Sequence, residues 1–292
     1  MGFPESTYTQ RKYLVNPDFD LEYKNQPLPE VGFHHNDFYE VYFFISGKVN
    51  YMIEGKSYIL KPDDILIIGN KEIHKPIVDP EFSYERVVLS INPEFISNKN
   101  ISEIDLSICF DPSTRNHHNL LRLNSDMLYT IRRILYNLNS VFNSKSYGDS
   151  MLKHLYLLEL LIYLNKACLE KDAQNANSNI ICNEKISKVI EYINSNIFED
   201  LSLDNISSKF YTSKYHLARE FKRHTGCTFH SFIQQKRFIH AKTLLKEGYT
   251  VASVCEKCGF NDYSNFIRAF RTNWGVTPKE YSRLSMQGRL VE

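Results

Sequence analysis

The sequence predicts an α+β fold in two parts: a small antiparallel β-barrel or sandwich first, then helices that end in an all-α module. Three observations carry this. Residues 39–91 hold short aromatic and β-branched runs with turn signals about every 8–12 residues, the pattern of a barrel or sandwich. From about Ser125 the apolar spacing lengthens to three or four residues, which marks amphipathic helices. Near the carboxyl end the chain repeats itself at an offset of 49.

The strands come first in order. Tyr39-Glu40-Val41-Tyr42-Phe43-Phe44-Ile45 runs until Gly47 ends it. Val49 to Ile53 follows, and Glu54-Gly55 turns the chain. Tyr58-Ile59-Leu60 precedes the turn Lys61-Pro62-Asp63-Asp64. Ile65 to Ile68 and Tyr84 to Ile91 complete the set. Next, Met127, Ile131, Ile134, Leu135 and Leu138 share one face of a helix. A second helix spans about Asp149 to Leu169 and is apolar around most of its circumference, with Leu152, Leu155, Leu158, Leu161 and Ile162 among its positions. One side covers the barrel; the other is either a second buried face or a seam for the same helix of another subunit. Residues 171–183 are polar and aperiodic, the composition of a linker. The boundaries expected are 1–120 for the barrel, 121–170 for the helical pair, 171–184 for the linker and 185–292 for the carboxyl module.

In the repeat, Leu217 meets Phe266, Arg219 meets Arg268, Phe221 meets Phe270, Lys222 meets Arg271, Gly226 meets Gly275 and Thr228 meets Thr277. Upstream, Ile206 falls on Cys255. Each copy reads as a short helix, a tight turn and a second helix ending at glycine. Such a helix-turn-helix unit lays its second helix in the DNA major groove. Ser202 caps the helix Leu203 to Lys209, and Ser213 caps the helix that starts at Lys214. Leu203, Ile206, Leu217 and Phe221 form the small core. Lys214, Tyr215, Ala218, Arg219 and Lys222 are left facing outward. Arg219 suits guanine O6 and N7, while Lys222 and Arg223 suit phosphates. In the second copy Val251 to Lys257 is the first helix, and Gly259 supplies the turn. Asp262 caps the reader that starts at Tyr263. Val251, Val254, Cys255, Phe266 and Phe270 are its core, with Tyr263, Ser264, Asn265 and Arg268 outward. Cys255 and Cys258 read as small buried hydrophobes rather than zinc ligands, since no second pair stands at ligand spacing.

The spacer Phe229 to Lys246 reads as an amphipathic helix of about 27 Å. A turn of B-DNA advances roughly 34 Å, so two readers on this spacer imply some bending of the duplex. Lys236 and Arg237 are placed on the spacer's solvent face.

Net charge is only +1, but residues 185–292 carry 17 Lys+Arg against 10 Asp+Glu, while residues 1–184 carry 18 against 24. A basic module beside an acidic one fits a DNA binder attached to something that does not touch DNA. The six cysteines are scattered apart from Cys255 and Cys258, which points to a reducing cytoplasm. Met1-Gly2-Phe3-Pro4-Glu5 lacks a signal-peptide layout. Leu155 to Leu164, interrupted by Glu159, is too short to span a bilayer.

The run from Leu203 to Leu284 resembles the DNA-binding region of AraC-type (AraC/XylS family) transcription regulators. The residues that carry this are Leu203 and Ile206; Leu217, Arg219, Phe221 and Lys222; Gly226; Ala241; Leu244-Leu245; Cys258-Gly259-Phe260; Tyr263; Phe266; Arg268; Phe270; Gly275; Pro278; and Tyr281. The amino half is similar to the cupin-like sensor domain of such regulators through His34, Phe38-Tyr39-Glu40, Gly47, Leu60-x-Pro62-x-Asp64 and His74. The resemblance implies a bacterial transcription factor, mostly an activator in this family. It also implies a homodimer that meets RNA polymerase on promoter DNA and a small-molecule effector, a sugar among the candidates. The DNA contacts that carry over are Lys214, Tyr215, Arg219, Tyr263, Asn265 and Arg268; Lys222 and Ser264 join them as outward residues of the same helices. The effector pocket would draw on His34, Glu40, Tyr42, Tyr51, His74 and Arg86. Asn36 stands where a metal-binding cupin places a second histidine. Adjacent His35 points to the opposite face by strand alternation, and Asp63 replaces a glycine usual before Asp64. No cofactor, bound metal or catalytic residue is expected. The alternative is a metal-dependent cupin enzyme fused to a DNA-binding module, with His34, Glu40 and His74 as its ligands.

Overall fold

The computed structural model describes residues 14–25, 31–98, 104–115, 118–170, 180–260 and 262–286. The first strands are β1 (Phe19–Lys24), β2 (Tyr39–Ser46), β3 (Val49–Ile53), β4 (Lys56–Ile59) and β5 (Ile65–Ile68). They are followed by β6 (His74–Val78), β7 (Glu85–Ile91), a short helix α1 (Pro93–Asn98) and β8 (Leu120–Leu121). One sheet has the order β1-β7-β2-β5-β8. The other has the order β6-β3-β4-β9, its last strand being β9 (Ile180–Ile181) from far along the chain. Every pairing is antiparallel.

Alternation along β2 sorts the cores. Val41 and Phe43 join Ile65, Ile67, Leu89 and Ile91 on the outer face of the first sheet. Tyr42 and Phe44 join Leu66, Ile68, Val88, Tyr51 and Tyr58 between the two sheets. The outer face is covered by α2 (Ser125–Phe142) and α3 (Asp149–Leu169). Ile131, Ile134 and Leu138 from α2 and Leu157, Leu160, Leu161 and Leu164 from α3 are buried in that layer. Each contributes about 1.5–3 kcal/mol through the apolar surface it removes from water. Met151, Leu152, Leu155 and Ile162 lie exposed on the other side of α3.

Glu54 and Gly55 both have positive φ (47° and 74°), the conformation of a two-residue hairpin turn. Asp63, standing where glycine is usual, adopts φ 74°, and its carboxylate pairs with Arg132 of α2. The aspartate thereby ties the turn to the covering helix. β1, β6, β8 and β9 were not read from the sequence: Asn16-Pro17-Asp18 turn the chain just before β1, and β8 and β9 are only two residues long. The linker expected over 171–184 lies outside the described residues as far as 179. Beyond that point, Ile180 and Ile181 pair with Tyr58 and Ser57 on the edge of β4.

The carboxyl half is helical: α4 (Glu184–Ser195), α5 (Leu203–Lys209), α6 (Lys214–Thr225), α7 (Phe229–Lys246), α8 (Val251–Lys257), α9 (Tyr263–Trp274) and α10 (Pro278–Met286). The starts are set by side-chain caps. Ser202, Ser213, Thr228, Thr250 and Asp262 each accept the backbone N–H three residues on. The two units have separate cores. Ile206, Leu217, Phe221, Phe229 and Phe232 lie with α4 in one. Phe238, Val254, Cys255, Cys258, Phe266, Phe270 and Tyr281 lie in the other. Cys255 and Cys258 are indeed buried hydrophobes.

Two expectations change here. The caps Ser202 and Thr250 are 48 apart, as are the turn residues with positive φ, Tyr211 (49°) and Gly259 (71°). Ile206 therefore matches Val254, not Cys255. The offset of 49 begins only at the second helices, because the second turn holds one extra residue. The other change concerns the spacer: Lys236 and Arg237 do not sit on a solvent face. Lys236 is 6% exposed, with its Nζ 2.7 Å from Glu54 Oε1 and 2.8 Å from the Lys71 carbonyl. Arg237 donates to the carbonyls of Ile197, Glu199 and Gly259. A single apolar stripe was the wrong picture of α7, because this helix is enclosed by both cores and by the barrel.

Candidate DNA interface and sensor interior

All eight residues expected to meet DNA lie on the surface: Lys214, Tyr215, Arg219 and Lys222 on α6, and Tyr263, Ser264, Asn265 and Arg268 on α9. The local reason is the same in both units. Leu217 and Phe221, or Phe266 and Phe270, are four residues apart and fix one face of the helix inward. The first turn and the positions between are left outside. Three basic groups stand in the last turn of α6.

These side chains form a local mesh. Arg268 Nη2 donates to Asn265 Oδ1 at 2.9 Å, and Asn265 Nδ2 donates to Asp262 Oδ2 at 2.8 Å. Arg219 Nη2 lies 3.3 Å from His216 Nδ1, and Lys214 Nζ lies 3.1 Å from Asp204 Oδ1. Surface pairs of this kind contribute only about 0–1 kcal/mol each, so the mesh is weakly held. The sequence reading missed His216 and Tyr211. His216 occupies the outward third position of α6, and Tyr211 stands exposed in the turn. The positive φ of Tyr211, where the sister unit has Gly259, was the only signal available, and it is visible only in the backbone.

The six residues expected to line a pocket come together between the sheets. The His34 and His74 rings are 4.3 Å apart, and Tyr51 stacks on His74 at 6.1 Å. Tyr42 meets Tyr51 edge-on at 5.2 Å, and its hydroxyl bonds that of Tyr84. The Arg86 guanidinium lies 3.9 Å from the Tyr84 ring centroid. Glu40 accepts from Asn36 Nδ2 at 3.0 Å and bonds the Tyr51 hydroxyl. Tyr84 and Asn36 were not foreseen as members of this cluster.

Protonation follows from burial. Burial, and for His34 the neighbouring His74, push both imidazoles down to about 4. Burial lifts the phenols of Tyr42 and Tyr51, and that of Tyr84 to about 12. All five rings are uncharged at neutral pH. His74 Nδ1 lies 2.9 Å from the Glu72 carbonyl, and His34 Nδ1 lies 2.9 Å from that of Gly32. A carbonyl only accepts, so each Nδ1 carries the proton and each Nε2 is left as an acceptor. His74 Nε2 is buried with no hydrogen-bond partner, an omission that costs about 1–3 kcal/mol. Among the described residues no three His, Cys, Asp or Glu side chains are grouped to hold a metal ion.

Comparison with known proteins bears on both regions. The model of the AraC-like ligand binding domain matches residues 16–145, and a helix-turn-helix domain model matches 206–284. The HTH-type transcriptional activator RhaS of Escherichia fergusonii is 22% identical over 87% of this chain and 88% of its own length. The chain belongs to the AraC family of transcription regulators. Regulatory protein PocR of Salmonella typhimurium is 32% identical to this AraC-family chain over 33% of its length and 32% of PocR. The structure of ToxT from Vibrio cholerae aligns with 91% of this chain and 98% of ToxT, at 18% identity and a TM-score of 0.35. The AraC-family regulator is thus a DNA-binding protein with an amino-terminal ligand-binding domain. Among its described residues no helix is long and apolar enough to cross a membrane.

Proposed function

We propose that this AraC-family regulator reads promoter DNA with α6 and α9 together, and that a small polar effector held between the sheets changes how it does so. The carrying observation is the equivalence of the two outward faces, with Arg219 and Arg268 at matching places on helices whose inner faces are sealed in separate cores. Arg219 and Arg268 read guanine, Asn265 reads adenine, and Lys214 and Lys222 hold phosphates. Tyr215, Tyr263 and Ser264 pack on methyl groups or the backbone. The sensor spans 1–120, the pairing helices 121–170, the linker 171–184 and the DNA module 185–292.

The orphaned Nε2 of His74 supports the chemistry assigned to the effector. A ligand hydroxyl would donate to it while Tyr42, Tyr51, Glu40 and Arg86 take further hydroxyls, which favours a polyhydroxylated molecule such as a sugar. The exposed row Met151, Leu152, Leu155 and Ile162 on α3 supports a homodimer joined along that helix. The regulator then works in the cytoplasm as an activator, presenting RNA polymerase with a bound dimer, and has no enzymatic activity of its own.

Arg219→Ala tests the DNA reading. A duplex selected from a random pool by the wild-type chain should lose about 1–3 kcal/mol of binding, while binding to unselected DNA changes far less. Equal losses on both would reduce Arg219 to a phosphate contact.

A further inference from the structure

Residues 33–37 face two ways. His34 and Asn36 turn into the sensor interior. His34 is joined to His74 by a pair of backbone hydrogen bonds (3.1 and 2.8 Å) and by ring contact, and Asn36 bonds Glu40. Phe33, His35 and Asp37 turn the other way, as a period of two requires. Phe33 packs on the core of the first unit, and its ring fills the space that a Cβ at Gly226 would need, at the carboxyl end of α6. Burial, and next the charge of Lys242, push the His35 imidazole down to about 3. Asp37 forms an ion pair with Lys242 of α7. That ammonium group sits 5.6 Å from the Trp274 ring and 5.8 Å from the Tyr281 ring, both in the second unit.

Five consecutive residues therefore touch the sensor interior, the end of the first reader and, through Lys242 of α7, the second unit. We propose that this strap sets the mutual orientation of the two readers according to what occupies the space around His34 and His74. It rests on the DNA-binding reading above and names the route by which the interior acts on the readers. The main chain of His34 is tied to that of His74 by two hydrogen bonds, so a ligand that shifts the backbone at His74 carries His34, and with it Phe33 and His35, along. The units have separate cores, so their relative tilt along α7 is the soft variable on which Phe33 and Asp37 pull from either end.

Coupling is reciprocal: if the interior biases the readers, DNA on the readers biases the interior. That permits a test without the effector. Amide hydrogen exchange is followed on the full-length chain, alone and saturated with a duplex selected from a random pool. Peptides covering 33–37 and 72–76 should change exchange rate about fivefold or more, while the central strand 87–91 stays constant. In Phe33→Ala/Asp37→Asn the duplex should still bind while 72–76 no longer responds. If the saturated wild type exchanges identically at 33–37 and 72–76, or if 87–91 changes equally, the strap is not the link, whatever the variant does. Failure of the chain to select any duplex would remove the DNA reading and the strap with it.

Discussion

Gly226 and Gly275 are equivalent positions of the repeat, with φ 74° and 72°, yet they differ in what surrounds them. A Cβ at Gly275 would meet nothing within 4 Å, whereas one at Gly226 would run into the Phe33 ring. Alanine at either site incurs the left-handed strain of an L-residue, about 1 kcal/mol. At Gly226 it also overpacks a filled space, for a further 1–3 kcal/mol or so. Gly275→Ala should therefore cost about 1 kcal/mol and Gly226→Ala about 2–4 kcal/mol. Urea unfolding followed by helical circular dichroism measures both. Trp274, the single tryptophan, reports the second unit separately by fluorescence. Adding Phe33→Ala to Gly226→Ala should recover the overpacking part and leave Gly275→Ala unaffected, a coupling that a double-mutant cycle isolates. Equal costs at the two glycines, or no recovery with Phe33→Ala, would refute the contact between the sensor and the first reader.

Stability should depend on pH through His74. Its ring stays uncharged in the fold down to about 4, while an unfolded histidine takes up a proton below about 6.5. The unfolded chain binds more protons between those values, so the His74 contribution is constant above that window and is lost as pH drops through it. The loss from His74 nears roughly 3 kcal/mol at the acid end; an unchanged pH slope in His74→Gln would contradict this. Leu155→Asp on the exposed face of α3 should turn dimers into monomers in sedimentation velocity, and a wild type already monomeric at high concentration would remove the dimer. Specific DNA affinity should fall steeply with salt, because counterions are released from each phosphate contacted; a flat dependence counts against a basic reading face.

Much of the carboxyl half could be read from the sequence because its signals are local. Ser202, Ser213 and Asp262 announced helix starts through their own hydroxyl or carboxylate chemistry, and Phe221 and Phe270 fixed the inner faces by spacing alone. The outward residues followed by subtraction. The sensor interior was partly legible, since Tyr42 and Tyr51 stood out as aromatic residues within the strands. Contacts between distant segments were not. Lys236 and Lys242 look like solvated charges on any helical wheel, and only the arrival of Glu54 and Asp37 from the barrel buries them. The pairing of Ile181 with Ser57 depends on a strand edge that no local pattern reveals. The one-residue difference between the turns escaped for a related reason: a fixed offset scores the long second helices well and hides the slip before them.

Hydroxyl-radical footprinting of the full-length protein on a selected duplex tests the central claim most directly. Two readers held by α7 predict two protected patches per protomer on one face of the DNA, roughly one helical turn apart. Arg219→Ala should weaken one patch and Arg268→Ala the other. A single patch, or loss of both patches together in either variant, would contradict an account in which α6 and α9 read successive turns of the groove.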